Sequence, residues 1–190
     1  MRVDKEYLFD TARGEKTLAD LFNGRSQLLV YHFMFGPDWK EGCKNCSFFA
    51  DHVDGLLVHL EQNDLSMVMI SRAPLAKINA FKKRMGWKFT WVSSNKNDFN
   101  FDYHVSFTRE DLKKGVYYNY AIQKIGIEDL PGFSVFYKDE NGNVFHTYSC
   151  YGSGGDLLVG ANNFFDLTPK GRNGSSQADW VRHHDKYDTP

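Results

Sequence analysis

The sequence predicts an α/β fold with a parallel core, and three observations predict it. Apolar runs and helical-period segments alternate as strand, helix, strand, helix, strand between Leu28 and Val92. Right-handed crossovers turn that order into parallel strands. The run Leu28-Leu29-Val30-Tyr31-His32-Phe33-Met34-Phe35 is almost wholly apolar, as a strand covered on both faces should be. Near the end, Phe133–Tyr137 and Val144–Tyr148 flank Asp139-Glu140-Asn141-Gly142, a hairpin signature.

The elements follow in order. Tyr7 to Asp10, then Gly14-Glu15, fit a short edge strand and a turn. Thr17 to Phe22 fits one helical turn closed by Asn23-Gly24. After the Leu28–Phe35 strand, Gly36 to Gly42 is a loop. Phe48, Phe49, Val53, Leu56, Leu57 and Leu60 recur at helical spacing, so one helix is expected over Ser47–Gln62, ended by Asn63-Asp64. Ser66–Ser71 is a strand. Pro74 opens a helix to about Met85, with Leu75, Ile78, Phe81 and Met85 on one stripe and Gly86 as its stop. Phe89–Val92 is the next strand. Residues 95–128 mix Asn, Asp and aromatics around a capped turn at Thr108–Leu112. They read as an insertion that covers something. Asp156–Phe165 is the last expected helix. Pro169–Ser176 is turn-rich, as in a mobile segment, and Trp180–Tyr187 is expected to dock back on the body. Residues 1–190 thus read as a single domain, with residues 169–190 as a C-terminal extension.

Composition narrows the function classes. Of the 190 residues, 42% are apolar and 25% charged, ordinary globular values. Aromatics reach 16%, with 16 Phe and 10 Tyr, which fits a tight core and leaves open an exposed apolar groove or a homodimer face. The net charge of −1 comes with no basic stripe, so nucleic acid is not an expected partner. No stretch approaches the roughly 18 apolar residues of a membrane span. Met1 to Glu6 has no apolar signal core, and a cytoplasmic location is the default expectation. Three cysteines do not suggest a disulfide framework.

The chemistry rests on Cys43-Lys44-Asn45-Cys46. It lies between the buried apolar run and the start of a helix, where the helix dipole and free backbone N–H groups favour a thiolate. Thiol exchange needs an attacking thiolate and a second thiol to resolve the mixed disulfide. Cys43, at the loop edge, is the expected nucleophile, and Cys46, one turn into the helix, the resolving thiol. Lys40 and Lys44 add positive potential; Asp38 and Glu41 oppose it. The alternatives are a structural or zinc-binding pair, although one Cys-x-x-Cys supplies half of a four-ligand site. No metal or cofactor is expected. His32 either modulates the dithiol or is a satisfied core histidine. Cys150 is either a third, resolving thiol or a buried inert one. His183-His184-Asp185 is either a metal or acid–base cluster or a solvated tail.

Cys-x-x-Cys after a central strand, Pro131 before an antiparallel hairpin, and a final helix together resemble the thioredoxin fold. Gly14 to Phe35 resembles the opening of peroxiredoxins and of membrane-tethered thioredoxin-like reductases. The chain as a whole is similar to a bacterial thioredoxin-like family whose members carry the label of dithiol-disulfide isomerases. Tyr31 to Pro37, Gly42-Cys43 to Phe48, Ser71 to Leu75, Met85-Gly86-Trp87 and Trp180 to Asp185 carry that match. Members often extend before the position of Met1, so this chain reads as a short form.

The resemblance implies a thioredoxin-like fold with a central mixed sheet, helices on both faces, a peroxiredoxin-like N-terminal extension and the aromatic-rich insertion. It implies a cis Leu130-Pro131 bond facing the dithiol. Pro131, Leu130 and Trp39 become candidates for a substrate groove in which a docking strand meets the backbone before the proline. Cys150 should return to the same sheet edge, one strand farther out. Two departures stand out. The Gly36-Pro37 and Trp39 positions lie upstream of the cysteines on a longer loop. Lys40 occupies the place where peroxiredoxins carry a peroxide-orienting Thr or Ser. The expected function is thiol-disulfide exchange on a protein or small-molecule thiol or disulfide. The alternative is a non-catalytic binding or redox-sensing protein.

Overall fold

The computed structural model describes residues 1–172, 174 and 176–188. Its first elements are β1 (Leu8–Thr11) and β2 (Gly14–Thr17), an antiparallel hairpin. A 3-10 turn, Asp20–Phe22, leads to β3 (Gln27–His32). α1 (Lys44–Ala50) and α2 (Leu57–Gln62) precede β4 (Leu65–Ser71). α3 (Leu75–Arg84) and β5 (Thr90–Ser93) complete the expected alternation. The insertion holds α4 (Phe99–Asp102), α5 (Arg109–Lys114) and the two-stranded pair β6 (Val116–Tyr118) and β7 (Ala121–Gln123). β8 (Gly132–Lys138) and β9 (Val144–Tyr151) form the hairpin. It turns through Gly142 at φ +83, with the Asp139 carboxylate accepting from the N–H groups of Asn141 and Asn143. α6 (Gly160–Asp166) and α7 (Gln177–Trp180) follow, and a 3-10 turn at His184–Lys186 comes last.

Seven strands form one mixed sheet in the order β2-β1-β5-β4-β3-β8-β9. β3 pairs in parallel with β4, and β4 with β5, while β3 and β8 run antiparallel. Strand alternation divides the core. On one face Tyr31, Met67, Met69, Trp91 and Phe133 meet Phe49 and Ala50 of α1 and Ile78 and Phe81 of α3. On the other, Leu28, Val30, Val68, Ile70 and Phe136 meet Tyr7, Phe9, Phe22 and Phe99. Helices therefore lie on both faces, but unequally. The second face is closed by the 3-10 turn, the N-terminal segment and the short α4.

Two helix expectations are corrected. Ser47–Gln62 is not continuous: residues 51–56 are turns between α1 and α2. The carboxylates on that segment are drawn sideways. Asp51 accepts from Trp87 Nε1 at 2.7 Å, and Asp54 accepts the N–H groups of Lys88 and Phe89 at 2.8 and 2.9 Å. Those bonds tie the turn to the loop before β5, and tertiary pairing overrides the local period. The expected final helix Asp156–Phe165 is also split. A 3-10 segment, Gly152–Leu158, precedes α6. Gly155 there lies so close to the Phe133 ring that a Cβ would collide with it.

The insertion builds a third cluster, in which Val105, Phe107, Val116 and Tyr118 surround Tyr151 and Leu130. The C-terminal extension docks on the body: Trp180 packs edge-on against Phe48 and Phe165, and His183 is buried. In the turn-rich segment, positions 173 and 175 lie outside the described residues, as do 189 and 190. Among the described residues no helix is long and apolar enough to cross a membrane.

Candidate active site

β3 delivers the chain to the site. Beyond His32 the backbone continues at the sheet edge, with Phe33 N–H bonded to Ile70 O and Ala73 N–H to Phe35 O. After the loop, Cys43 N–H returns to Met34 O at 3.0 Å. Cys43 caps α1 in an extended conformation (φ −57°, ψ 130°), and its carbonyl accepts from both the N–H and the hydroxyl of Ser47 at 2.9 Å. Gly42 is buried, and only glycine fits there, since a Cβ would lie 2.7 Å from Phe33 and 2.8 Å from Phe81.

The two thiols have opposite environments. Cys43 is partly exposed and Cys46 is 1% exposed; neither is in a disulfide. A hydrogen bond from the Cys46 side chain favours the Cys43 thiolate most. The N–H groups of Cys46 and Asn45 and the charge of Lys44 add to it. Burial opposes them, and the net result pushes the Cys43 thiol down to about 6. Cys46 is held well above the usual thiol range, first by burial and then by its contact with Cys43. Its sulfur is also reached by the Met34 N–H at 3.5 Å and by the Tyr31 hydroxyl. The shared proton therefore resides on Cys46, leaving Cys43 as the thiolate.

Tyr31 is 4% exposed and packs between Phe49 and Phe133, with ring centroids 4.5 and 4.6 Å away. Burial, and then the adjacent sulfurs, raise its phenol far above the ordinary value. It stays protonated and acts as a donor. A cleft of about 370 Å³ opens beside the dithiol. Tyr31, Met34, Phe49, Phe133 and Val159 give it apolar walls, Asn45, Asp156 and Gln177 add polar groups, and both cysteines and Pro131 line it.

The candidates from sequence divide accordingly. Cys43, Cys46 and Pro131 share the cleft. The cis expectation is corrected: no cis peptide bond occurs among the described residues. The trans chain before Pro131 is carried by pairing with the insertion. Leu130 N–H bonds to Val105 O at 2.8 Å, Phe107 N–H bonds to Glu128 O at 2.9 Å, and the Tyr118 hydroxyl donates to Pro131 O at 2.7 Å. The backbone expected to be open for a docking strand is thus engaged. Leu130 packs into the insertion cluster, outside the cleft. Trp39 covers Gly36 and also lies outside the cleft. Lys40 is exposed.

His32 points to the sheet face away from the dithiol, because it alternates with Tyr31 on β3. It stacks on Phe99, with Nε2 2.9 Å from Ser134 Oγ, and burial pushes its pKa down to about 3. Cys150 pairs in register with Phe133 on the strand beyond β8. His183, His184 and Asp185 do not converge. His183 Nε2 meets Gly42 O at 2.8 Å, His184 Nδ1 meets Asp51 Oδ1 at 2.7 Å, and Asp185 accepts from Arg84.

Sequence reasoning did not single out Tyr31, Asn45 or Gln177, whereas Tyr118 belongs to the insertion aromatics, Phe99, Phe101, Tyr103 and Tyr117 to Tyr120, expected either to line a pocket or to pack as core or a dimer face. For Tyr31 a signal existed: strand alternation puts it and Phe33 opposite His32, on the face where α1 packs. Tyr118 reaches Pro131 and Gly152 from that insertion, and Gln177 reaches the cleft from the C-terminal extension, for which no local signal exists.

A family model described as "Bacterial protein of unknown function (DUF899)" matches residues 1–187, and the chain belongs to that family. A search of curated proteins found no relative. Among solved structures, the chain is similar to the peroxidoxin BcpB from Mycobacterium tuberculosis. That match has 12% identity and a TM-score of 0.54, covering 82% of this chain and 90% of that one. The bacterioferritin comigratory protein of Xanthomonas campestris matches at 13% identity and TM-score 0.53, over 81% and 88% of the two chains. PrxQ of Xylella fastidiosa matches at 12% and 0.51, over 83% and 88%. These likenesses establish the peroxiredoxin-type thioredoxin fold.

Proposed function

We propose that this DUF899 protein is a thiol-disulfide oxidoreductase in which Cys43 attacks and Cys46 resolves. One observation carries the reading: a partly exposed thiol pushed down to about 6 sits against a buried thiol pushed well up, both lining one cleft. At neutral pH the first is a thiolate ready to attack. The second keeps its proton until Cys43 has been consumed as a mixed disulfide. Once the negative charge on Cys43 is gone, its contribution to raising Cys46 goes with it, and Cys46 becomes the nucleophile. The Tyr31 hydroxyl and the Met34 N–H then support the developing Cys46 thiolate. Isomerase chemistry uses the same first step, with Cys43 released by a substrate thiol instead of by Cys46.

A pH titration of Cys43 alkylation and an equilibrium titration of the pair against dithiothreitol test the reading. A Cys43 midpoint at the free-thiol value of about 8.5, with no Cys43–Cys46 disulfide under mild oxidant, overturns it. A Cys46→Ser variant should hold substrates as mixed disulfides on Cys43. Sensing without turnover is a second reading, favoured by the engagement of the backbone before Pro131 with the insertion. Disulfide-reductase activity that disappears in Cys43→Ser decides for the enzyme.

A further inference from the structure

We propose that the cleft beside the dithiol takes a low-molecular-weight organic disulfide, and that an extended polypeptide does not dock there by strand addition. The proposal rests on the oxidoreductase reading and names its substrate class. A strand adds to a site through unpaired backbone groups. Here those groups are in use. Ser106 and Asp129 form an antiparallel bridge, with Phe107 N–H on Glu128 O and Leu130 N–H on Val105 O. The bridge is pinned from its side chains. The Asp129 carboxylate accepts the Ser106 hydroxyl at 2.6 Å and a two-pronged bond from Arg72 at 2.7 and 2.8 Å. Pro131 O accepts from Tyr118, whose hydroxyl oxygen in turn accepts Gly152 N–H at 2.8 Å. This links the proline to the opposite rim.

That opposite rim is equally tied. Asn162 Nδ2 holds both Asp156 and Gln177, and Arg172 adds an ion pair to Asp156. What remains is an open cleft of about 370 Å³, at the small-ligand end of the range for such pockets. Tyr31, Phe49, Phe133 and Val159 present apolar surface. Asn45, Asp156 and Gln177 also line it, and their side-chain oxygens are acceptors suited to an N–H on the substrate. Apolar arms bearing an amide or amine fit both features.

The reaction balances without a further cofactor. The Cys43 thiolate attacks one sulfur of R–S–S–R; the Cys43–S bond forms, the substrate S–S bond breaks, and the first thiolate leaves to take a proton from water. Cys46 gives up its proton to solvent and attacks Cys43 Sγ. The Cys43–Cys46 bond forms as the second thiolate departs and is protonated. Two electrons pass from the dithiol to the disulfide, and dithiothreitol resets the protein in the assay.

The test compares a bis-acylated cystamine with the same disulfide placed in the middle of an extended peptide, each against pre-reduced protein and corrected for the rate with dithiothreitol alone. The small disulfide should react about tenfold faster or more. Equal or faster reaction of the peptide overturns the proposal. Ser153→Trp, at the exposed rim of the cleft, should slow the small disulfide while leaving the reduction potential of the pair unchanged; an undiminished rate also overturns the proposal. Failure of the underlying reading is separate, because it appears as no Cys43–Cys46 disulfide with oxidised dithiothreitol.

Discussion

The Nε2 atom of His183 lies 2.8 Å from the carbonyl oxygen of Gly42, the residue before Cys43. The two are far apart in sequence, and both are buried. The imidazole rests edge-on against Phe81, with Nδ1 3.6 Å from Glu41. Arg84 and Lys186 converge on the same Glu41 carboxylate. The C-terminal extension thereby fastens the loop that presents the nucleophile. His183→Ala leaves the Gly42 carbonyl buried without its donor and should cost about 1–3 kcal/mol, read by urea denaturation. His183→Gln, which keeps an N–H donor, should cost less. Equal stability of wild type and His183→Ala would remove the fastening role.

Cys43 alkylation by iodoacetamide should follow the thiolate fraction. Because the folded-state value lies near 6, below the free-thiol value of about 8.5, the rate should climb through pH 6 and level off by neutrality. The hydrogen bond from Cys46 is the largest cause of that lowering. Cys46→Ala should therefore move the midpoint upward, toward the ordinary thiol value. A midpoint that stays put would assign the lowering to the helix backbone and Lys44 instead.

Tyr31→Phe removes the hydroxyl donor to Cys46 but keeps the ring that packs on Phe49 and Phe133. A lost hydrogen bond of about 1 kcal/mol should slow resolution of a Cys43 mixed disulfide severalfold. Initial attack by Cys43 should change little. Stopped-flow measurement of the two phases separates the effects, and equal slowing of both would contradict a role confined to the resolving thiol.

Arg72 and Asp129 form a two-pronged ion pair, with side chains 13% and 5% exposed. Removing one partner strands a buried charge. Arg72→Met should destabilise the protein by about 3–5 kcal/mol, observed as a lower urea midpoint. It should also loosen the 105–107 and 128–130 pairing, so amide exchange at Phe107 and Leu130 should accelerate. Unchanged exchange there would mean that the ion pair stabilises the body without holding the insertion.

Much of this architecture was legible in the chain because it rests on short-range patterns. The apolar run of β3, the stripe of α3, the capping residues of α5 and the Asn141-Gly142 turn each express a local preference. The Cys-x-x-Cys placement follows from the same logic, since the strand end and the helix start are adjacent in sequence. The break at residues 51–56 was not legible, because helical periodicity continues through it. It is decided by carboxylates that reach Trp87 and the backbone of Lys88 and Phe89. Likewise a proline beside a dithiol suggested a cis bond and an open edge. The insertion's pairing with residues 128–130 decided otherwise.

The sequence by itself determined the α/β alternation, the hairpin and the pair of thiols at a strand-to-helix junction, because each depends on residues within a few positions of one another. Only the tertiary structure decided which groups surround each thiol, which aromatic reaches Cys46 and how the backbone beside the cleft is engaged. Burial of Cys46, the approach of the Tyr31 hydroxyl and the engagement of the 128–131 backbone by the insertion all bring together residues that are distant in the chain. Their energies come from desolvation and from hydrogen bonds that exist only once those surfaces have met.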